Sequence, residues 1–171
     1  IRAADKVVLP GVGAFGDAMK SLRARGLEEP IRAFIASGKP FLGICLGLQL
    51  LFESSEESPG VAGLGLLKGK ILRLPAESGL KIPHIGWNSL TIRKPGGLFA
   101  GVEGEPHVYF VHSYYLQAEE DVVAATAEYG ATIHAAVQKD NLLACQFHPE
   151  KSGEVGLKLL RNFKAMAEGG N

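Results

Sequence analysis

Three side chains far apart in the 171 residues have the types and neighbours that nucleophilic catalysis needs: Cys45, His148 and Glu150. Cys45 lies in Gly43-Ile44-Cys45-Leu46-Gly47, a Gly-x-Cys-x-Gly pattern. With serine, the same spacing forms a nucleophile elbow, a sharp strand-to-helix turn that lifts the nucleophile above the sheet. The glycines are needed because a Cβ at either position would meet the crowded backbone of the turn. A cysteine at a helix start also sits near free N–H groups and the positive end of the helix dipole, which favour a thiolate. Taken alone, Cys45 reads equally well as a small buried apolar residue.

The partner stretch is Phe147-His148-Pro149-Glu150-Lys151-Ser152, at the end of a buried strand and just ahead of the last helix. In an extended segment, residues two apart point to the same side, which sets Glu150 beside His148. Pro149 holds φ and denies this segment a helical start. A carboxylate so placed fixes the imidazole tautomer and stabilises its protonated form, as in any nucleophile–His–acid triad. An isolated His-x-Glu is more simply a surface pair; a cysteine elbow in the same chain shifts the reading to catalysis.

The elements that must position these residues follow from the pattern. The first half of the stretch Lys39–Phe52, preceded by Ser37-Gly38-Lys39-Pro40, reads as a buried strand, and its second half has helical spacing, with Gly43–Gly47 between them. Upstream, a strand over Lys6–Pro10 runs into the glycine-dense Gly11-Val12-Gly13-Ala14-Phe15-Gly16. This loop is either a site where backbone N–H groups approach a ligand or a plain turn. No acidic residue follows a second strand, so it is not a dinucleotide fingerprint. One helix is expected from Asp17, as N-cap, to Gly26, and another from Pro30 with Ile31, Phe34 and Ile35 on one face. Glu53–Gly60 reads as a solvated polar loop.

Short strands are expected over 70–74, 90–93, 108–116, 122–128 and 132–138, with turns at Tyr129-Gly130 and Lys139-Asp140-Asn141. Leu142–Phe147 is a further buried strand. The last helix spans Gly153–Glu168, capped by Ser152, with Val155, Leu159, Leu160, Phe163 and Met166 inward. The expected fold is α/β: one domain over residues 1–171, with a mixed, largely parallel central sheet flanked by helices and an antiparallel extension. In such a sheet, Cys45 and His148 at strand ends share one rim, where ligands bind.

Composition narrows the function classes. The chain is 46% hydrophobic and 21% charged, as in ordinary globular proteins. Eighteen basic and eighteen acidic residues cancel to zero net charge, with no basic tail or charge block. That argues against binding to nucleic acid or a membrane surface. Two cysteines, Cys45 and Cys145, are too few for a disulfide framework and form no metal-binding pair, so a reducing, cytoplasmic setting is expected.

Pro10-Gly11-Val12-Gly13, Gly43-Ile44-Cys45-Leu46-Gly47-Leu48-Gln49 and Phe147-His148-Pro149-Glu150-Lys151-Ser152 together resemble the class I (triad) glutamine amidotransferases, over essentially the whole chain. Pro83-His84-Ile85-Gly86-Trp87-Asn88 and Tyr109-Phe110-Val111-His112-Ser113-Tyr114-Tyr115 are similar to the branch of that family serving histidine biosynthesis. The resemblance implies a flavodoxin-like fold and hydrolysis of glutamine through a cysteinyl thioester, with no cofactor and no metal. Leu46 and the Val12-Gly13 segment are the expected oxyanion donors. Gly11, Gly13, Gln49, Ser113 and Tyr114 would hold glutamine; Gln49, four residues after Cys45, shares a helix face with it. Ammonia would pass to a (β/α)₈-barrel cyclase in a heterodimer, with Trp87, Tyr109 and Lys151 facing the barrel.

His84 and His112 read as structural, and His107 and His134 carry no functional signal. Family members usually begin with a further strand, glycine-rich loop and helix ahead of the position of Ile1, which the sequence as given lacks. Two alternatives stand beside this reading. One is a glutaminase of another class I system, such as pyridoxal phosphate synthesis, or a cysteine hydrolase with the same triad. The other is a non-catalytic amidotransferase-like binding module.

Overall fold

The computed structural model describes residues 1–167, so the expected end of the last helix at Glu168 lies outside the described residues. In chain order the strands are β1 (Val7–Leu9), β2 (Phe41–Ile44), β3 (Ser54–Ser55), β4 (Gly69–Arg73), β5 (His84–Ser89) and β6 (Thr91–Ile92). They continue with β7 (His107–His112), β8 (Tyr114–Ala118), β9 (Val123–Glu128), β10 (Thr132–Lys139) and β11 (Leu142–Cys145). The helices are α1 (Phe15–Ala24), α2 (Glu28–Ala36), α3 (Leu46–Leu50) and α4 (Gly153–Ala165).

The central sheet has the order β1-β2-β11-β10-β9-β6. It is parallel across β1, β2 and β11 and antiparallel from β11 outward. Two smaller sheets, β3-β4-β8 and β5-β7, extend it. Because side chains alternate along a strand, β2 and β11 split their apolar residues between two cores. Leu42, Leu143 and Cys145 join Leu159, Phe163 and Met166 on one face. Phe41, Leu142 and Ala144 join Phe15, Met19, Ile31 and Phe34 on the other. Helices thus cover both faces, which is why these two strands read as continuous apolar runs.

Several expected boundaries differ for physical reasons. Helix α1 starts at Phe15 rather than after Asp17, because the supposedly solvated loop caps it. Glu57 Oε2 accepts the Phe15 N–H at 3.3 Å and Ser58 Oγ accepts that of Gly16 at 2.8 Å. That loop also contributes β3, and β5 spans residues read only as a motif. The 108–116 segment is not one strand: β7 pairs with β5 and β8 with β4, so the chain changes sheets at Ser113. Ser152 stands at the start of α4 but does not cap it by side chain. Its hydroxyl instead donates to the His148 carbonyl at 2.6 Å and accepts the Tyr109 N–H at 3.0 Å.

Candidate active site

The parallel ladder sets the site. Ile44 pairs with Cys145, and the Cys45 N–H donates to the Cys145 carbonyl at 2.8 Å. Cys45 and the His148 segment therefore leave adjacent strands at the same rim, about one strand spacing apart. Cys45 holds φ 55° and ψ −110°, a conformation that non-glycine residues rarely adopt and that active sites often store. A Cβ on Gly43 would come 2.8 Å from the Gly47 carbonyl oxygen, and one on Gly47 would run into the Leu9 carbonyl. The two glycines let the elbow turn this tightly against β1.

The His148 ring is held at Nδ1, and its backbone is held separately. His148 Nδ1 donates to Glu150 Oε1 at 2.7 Å, and the His148 N–H donates to the Tyr109 carbonyl at 3.0 Å. The geometry is not the extended one expected. His148 is extended, but Pro149–Lys151 is a turn of 3₁₀ helix, so Glu150 folds back onto the ring. Pro149 starts that turn rather than forbidding it, because its fixed φ suits a first helical position. With Nδ1 donating, Nε2 of the neutral ring keeps a free lone pair, and this atom is buried without a hydrogen-bond partner among the described residues.

The thiol is turned elsewhere. Cys45 Sγ points at the Val111 carbonyl, 4.0 Å away, and accepts a hydrogen bond from Gln146 Nε2 at 3.6 Å. Burial pushes the thiol up to about 11, although the Leu46 N–H and Gln146 favour the thiolate. The expected pull of the helix start is outweighed, since α3 is only five residues long and desolvation dominates.

Cys45 opens onto a cavity of about 440 Å³ lined by Val12, Gly13, Leu46, Gln49, Glu57 and the 111–114 segment. Gly13, Gln49, Ser113 and Tyr114 are thus brought together with the sulfur. Gly11 is not: it lines a neighbouring cavity of about 460 Å³ with His148 and Glu150, and among the described residues only Val12 borders both. Its carbonyl accepts the Leu46 N–H at 3.3 Å, so this expected oxyanion donor is already engaged. Gln49 lies on the cavity wall with Nε2 donating to the Tyr114 carbonyl at 3.1 Å and to Gln146 Oε1 at 3.0 Å.

Two residues at the site, one beside the thiol and one lining the cavity, escape sequence reasoning. Gln146 is fully buried beside the thiol, and its signal was a lone amide in an otherwise apolar strand. Glu57 sits in the polar loop, where nothing local separates a cavity carboxylate from a solvated one. Trp87, Tyr109 and Lys151 form one surface cluster, in which Trp87 and Lys151 are exposed and Tyr109 is half-buried. The Trp87 and Tyr109 rings meet edge-on at 6.1 Å, and Lys151 Nζ lies 6.0 Å from the Tyr109 ring centre. Trp87 is 57% exposed, unlike a core tryptophan.

Comparison with known families matches residues 2–166 to "Glutamine amidotransferase class-I". The chain belongs to the class I glutamine amidotransferase family. Among curated proteins it is 54% identical, over 97% of its length and 84% of theirs, to the imidazole glycerol phosphate synthase subunit HisH of Syntrophotalea carbinolica. The subunit of the same name from Methanothermobacter thermautotrophicus is 55% identical over 95% of this chain and 80% of that one. In fold it is similar to a structure of PurLQS from Thermotoga maritima, with TM-score 0.72 and 22% identity over 96% of this chain and 80% of that one. A solved glutamine amidotransferase gives TM-score 0.68 at 22% identity, covering 94% of this chain and 80% of that one.

Proposed function

We propose that this chain is the glutaminase subunit of an imidazole glycerol phosphate synthase, supplying ammonia to a (β/α)₈-barrel cyclase in histidine biosynthesis. The observation that carries the chemistry is the His148–Glu150 pair, with a free Nε2 lone pair at the rim where Cys45 ends its strand. Identity above 50% to HisH subunits supports the particular reaction. His148 takes the Cys45 proton, once the sulfur turns from the Val111 carbonyl, and the thiolate attacks the glutamine amide carbon. The tetrahedral intermediate collapses to a thioester as His148 protonates the departing ammonia. His148 then deprotonates the water that releases glutamate and frees Cys45.

Glutamine fits the cavity beside Cys45, where Gln49, Ser113, Tyr114 and Glu57 present polar atoms to its amino and carboxylate ends. Val12, Gly13 and Leu46 supply the oxyanion donors after the Gly11 carbonyl swings off the Leu46 N–H. The Trp87–Tyr109–Lys151 surface cluster suits the cyclase interface, since aromatic anchors beside a cation are common at such centres. The reading places the enzyme in the cytoplasm, in keeping with two free cysteines. Residues 1–171 act in it as one amidotransferase domain.

Replacing Cys45 with alanine tests it in the reconstituted complex. Glutamine-dependent product formation is expected to vanish, while synthesis from added ammonia continues at the cyclase. Persistence of glutamine-dependent turnover would rule out the thioester route.

A further inference from the structure

Behind the cavity wall lies a buried chain of hydrogen bonds that the chemistry above does not use. His112 Nδ1 lies 2.8 Å from the Tyr114 carbonyl, which only accepts, so Nδ1 carries the proton. In the neutral ring Nε2 then bears a lone pair, and His84 Nδ1, 2.9 Å away, must donate to it. The remaining nitrogen, His84 Nε2, faces Asn88 Nδ2 at 3.4 Å. The amide of Asn88 is itself held by Glu128 and Ser89: its nitrogen donates to the Glu128 carbonyl at 3.0 Å and its oxygen accepts the Ser89 N–H at 2.8 Å. One direction of donation satisfies the whole run. Burial keeps both rings neutral by holding them down at about 4.

The chain ends at the cavity. The Tyr114 carbonyl that receives His112 also receives Gln49 Nε2, which bonds Gln146, which bonds the Cys45 sulfur. His112, Ser113, Tyr114 and Gln49 all line the cavity with Cys45; His84 does not. His84 is locked in place by its neighbours, stacked on Phe110 at 4.6 Å and on Tyr129 at 3.9 Å between ring centres.

We propose that His84 is a positioning residue for the substrate: by donating to His112 Nε2 it holds that ring in the orientation whose Nδ1–H fixes the Tyr114 carbonyl, and with it Gln49, at the glutamine cavity. Without a donor at His84, the buried Nε2 lone pair of His112 is left unpaired, and the ring is free to turn its Nδ1–H off the Tyr114 carbonyl. The wall then loses a hydrogen bond where the substrate lies. The inference rests on the glutaminase reading above.

The test compares wild type, His84→Phe and His84→Asn in complex with the cyclase. Phenylalanine keeps the stacking and removes both ring nitrogens; asparagine restores a donor near the position of Nδ1. Loss of one such hydrogen bond is expected to raise KM for glutamine about fivefold, with kcat within about twofold. Asparagine should return KM to near the wild-type value. Independently, two-bond ¹H–¹⁵N spectra of the ¹⁵N-histidine-labelled wild-type chain at neutral pH should place the His112 proton on Nδ1.

An unchanged KM in folded His84→Phe, no rescue by asparagine, or a His112 proton on Nε2 would each overturn the proposal. If the phenylalanine variant does not fold, the spectra and the asparagine KM decide. A wild-type complex that fails to hydrolyse glutamine refutes the glutaminase reading instead, and the spectra still test the His112 Nδ1–H that the chain of hydrogen bonds requires.

Discussion

The Leu46 N–H donates to the Gly11 carbonyl at 3.3 Å, so the proposed oxyanion donor beside Cys45 is occupied. In this conformation the Cys45 sulfur faces the Val111 carbonyl and His148 Nε2 has no partner among the described residues. The loop carrying Gly11 holds two glycines with no side chain to obstruct the backbone. Gly13 sits at φ 100° with open space around it, and a side chain at Gly11 would press on Leu46 at 3.2 Å.

One oxyanion donor is worth about 3 kcal/mol, or roughly 10²-fold in rate. Glutamine hydrolysis by the chain alone is therefore expected to be at least about 10²-fold slower than in the cyclase complex with its own substrate bound. Steady-state assays with and without the partner measure this. Equal rates would show that the Gly11 carbonyl does not restrain the enzyme.

Cys45, raised to about 11 by burial, is expected to react slowly with iodoacetamide in the isolated chain. Only the thiolate reacts, and below its pKa the thiolate fraction rises about tenfold per pH unit. Labelling rates of Cys45 should climb with that slope from pH 7 to 10. A plateau near pH 8, followed by mass spectrometry, would mean the thiol is already activated without a partner.

Acid should weaken the fold through His84 and His112. Both are lowered from 6.5 to about 4, so the unfolded chain takes up protons first as pH falls. Their stabilising effect is whole above pH 6.5 and disappears as pH drops through about 4. The loss is on the order of 3 kcal/mol per ring. Urea unfolding at pH 7, 5.5 and 4.5 should show it, with a shallower fall in His84→Phe. A parallel fall in both proteins would assign the acid lability to other groups.

Trp87 is 57% exposed, so its removal should spare the fold and cost binding. Trp87→Ala is expected to weaken cyclase binding by about 2 kcal/mol, roughly 30-fold, with the unfolding midpoint unchanged. Calorimetric titration reads the first quantity and denaturant unfolding the second. Unaltered affinity would move the interface off this strand.

Much of the site was legible because it depends on local steric rules. Gly43 and Gly47 bracket Cys45 since no other residue fits against the Gly47 and Leu9 carbonyls, and that requirement is written into five consecutive letters. His148 and Glu150 were found for their chemistry, while the geometry joining them was misread. An extended pair and a 3₁₀ turn both bring residues two apart together, and only the hydrogen bonds of Tyr109 and Ser152 to this segment choose between them.

The amino-acid sequence by itself determined the elbow and the apolar strands on either side of it, because these follow from local spacing, and it picked out Cys45, His148 and Glu150 as the candidate triad by their chemistry. Tertiary structure decided what depends on contacts across the fold. It turned Glu57 toward the cavity, set Gln146 against the thiol and broke the 108–116 run at Ser113. It also joined His84 to His112, set the Gly11 carbonyl against Leu46, and kept the thiol protonated by burial. Each of these is a relation between residues from different elements, and local pattern carries no information about which partner a side chain will meet.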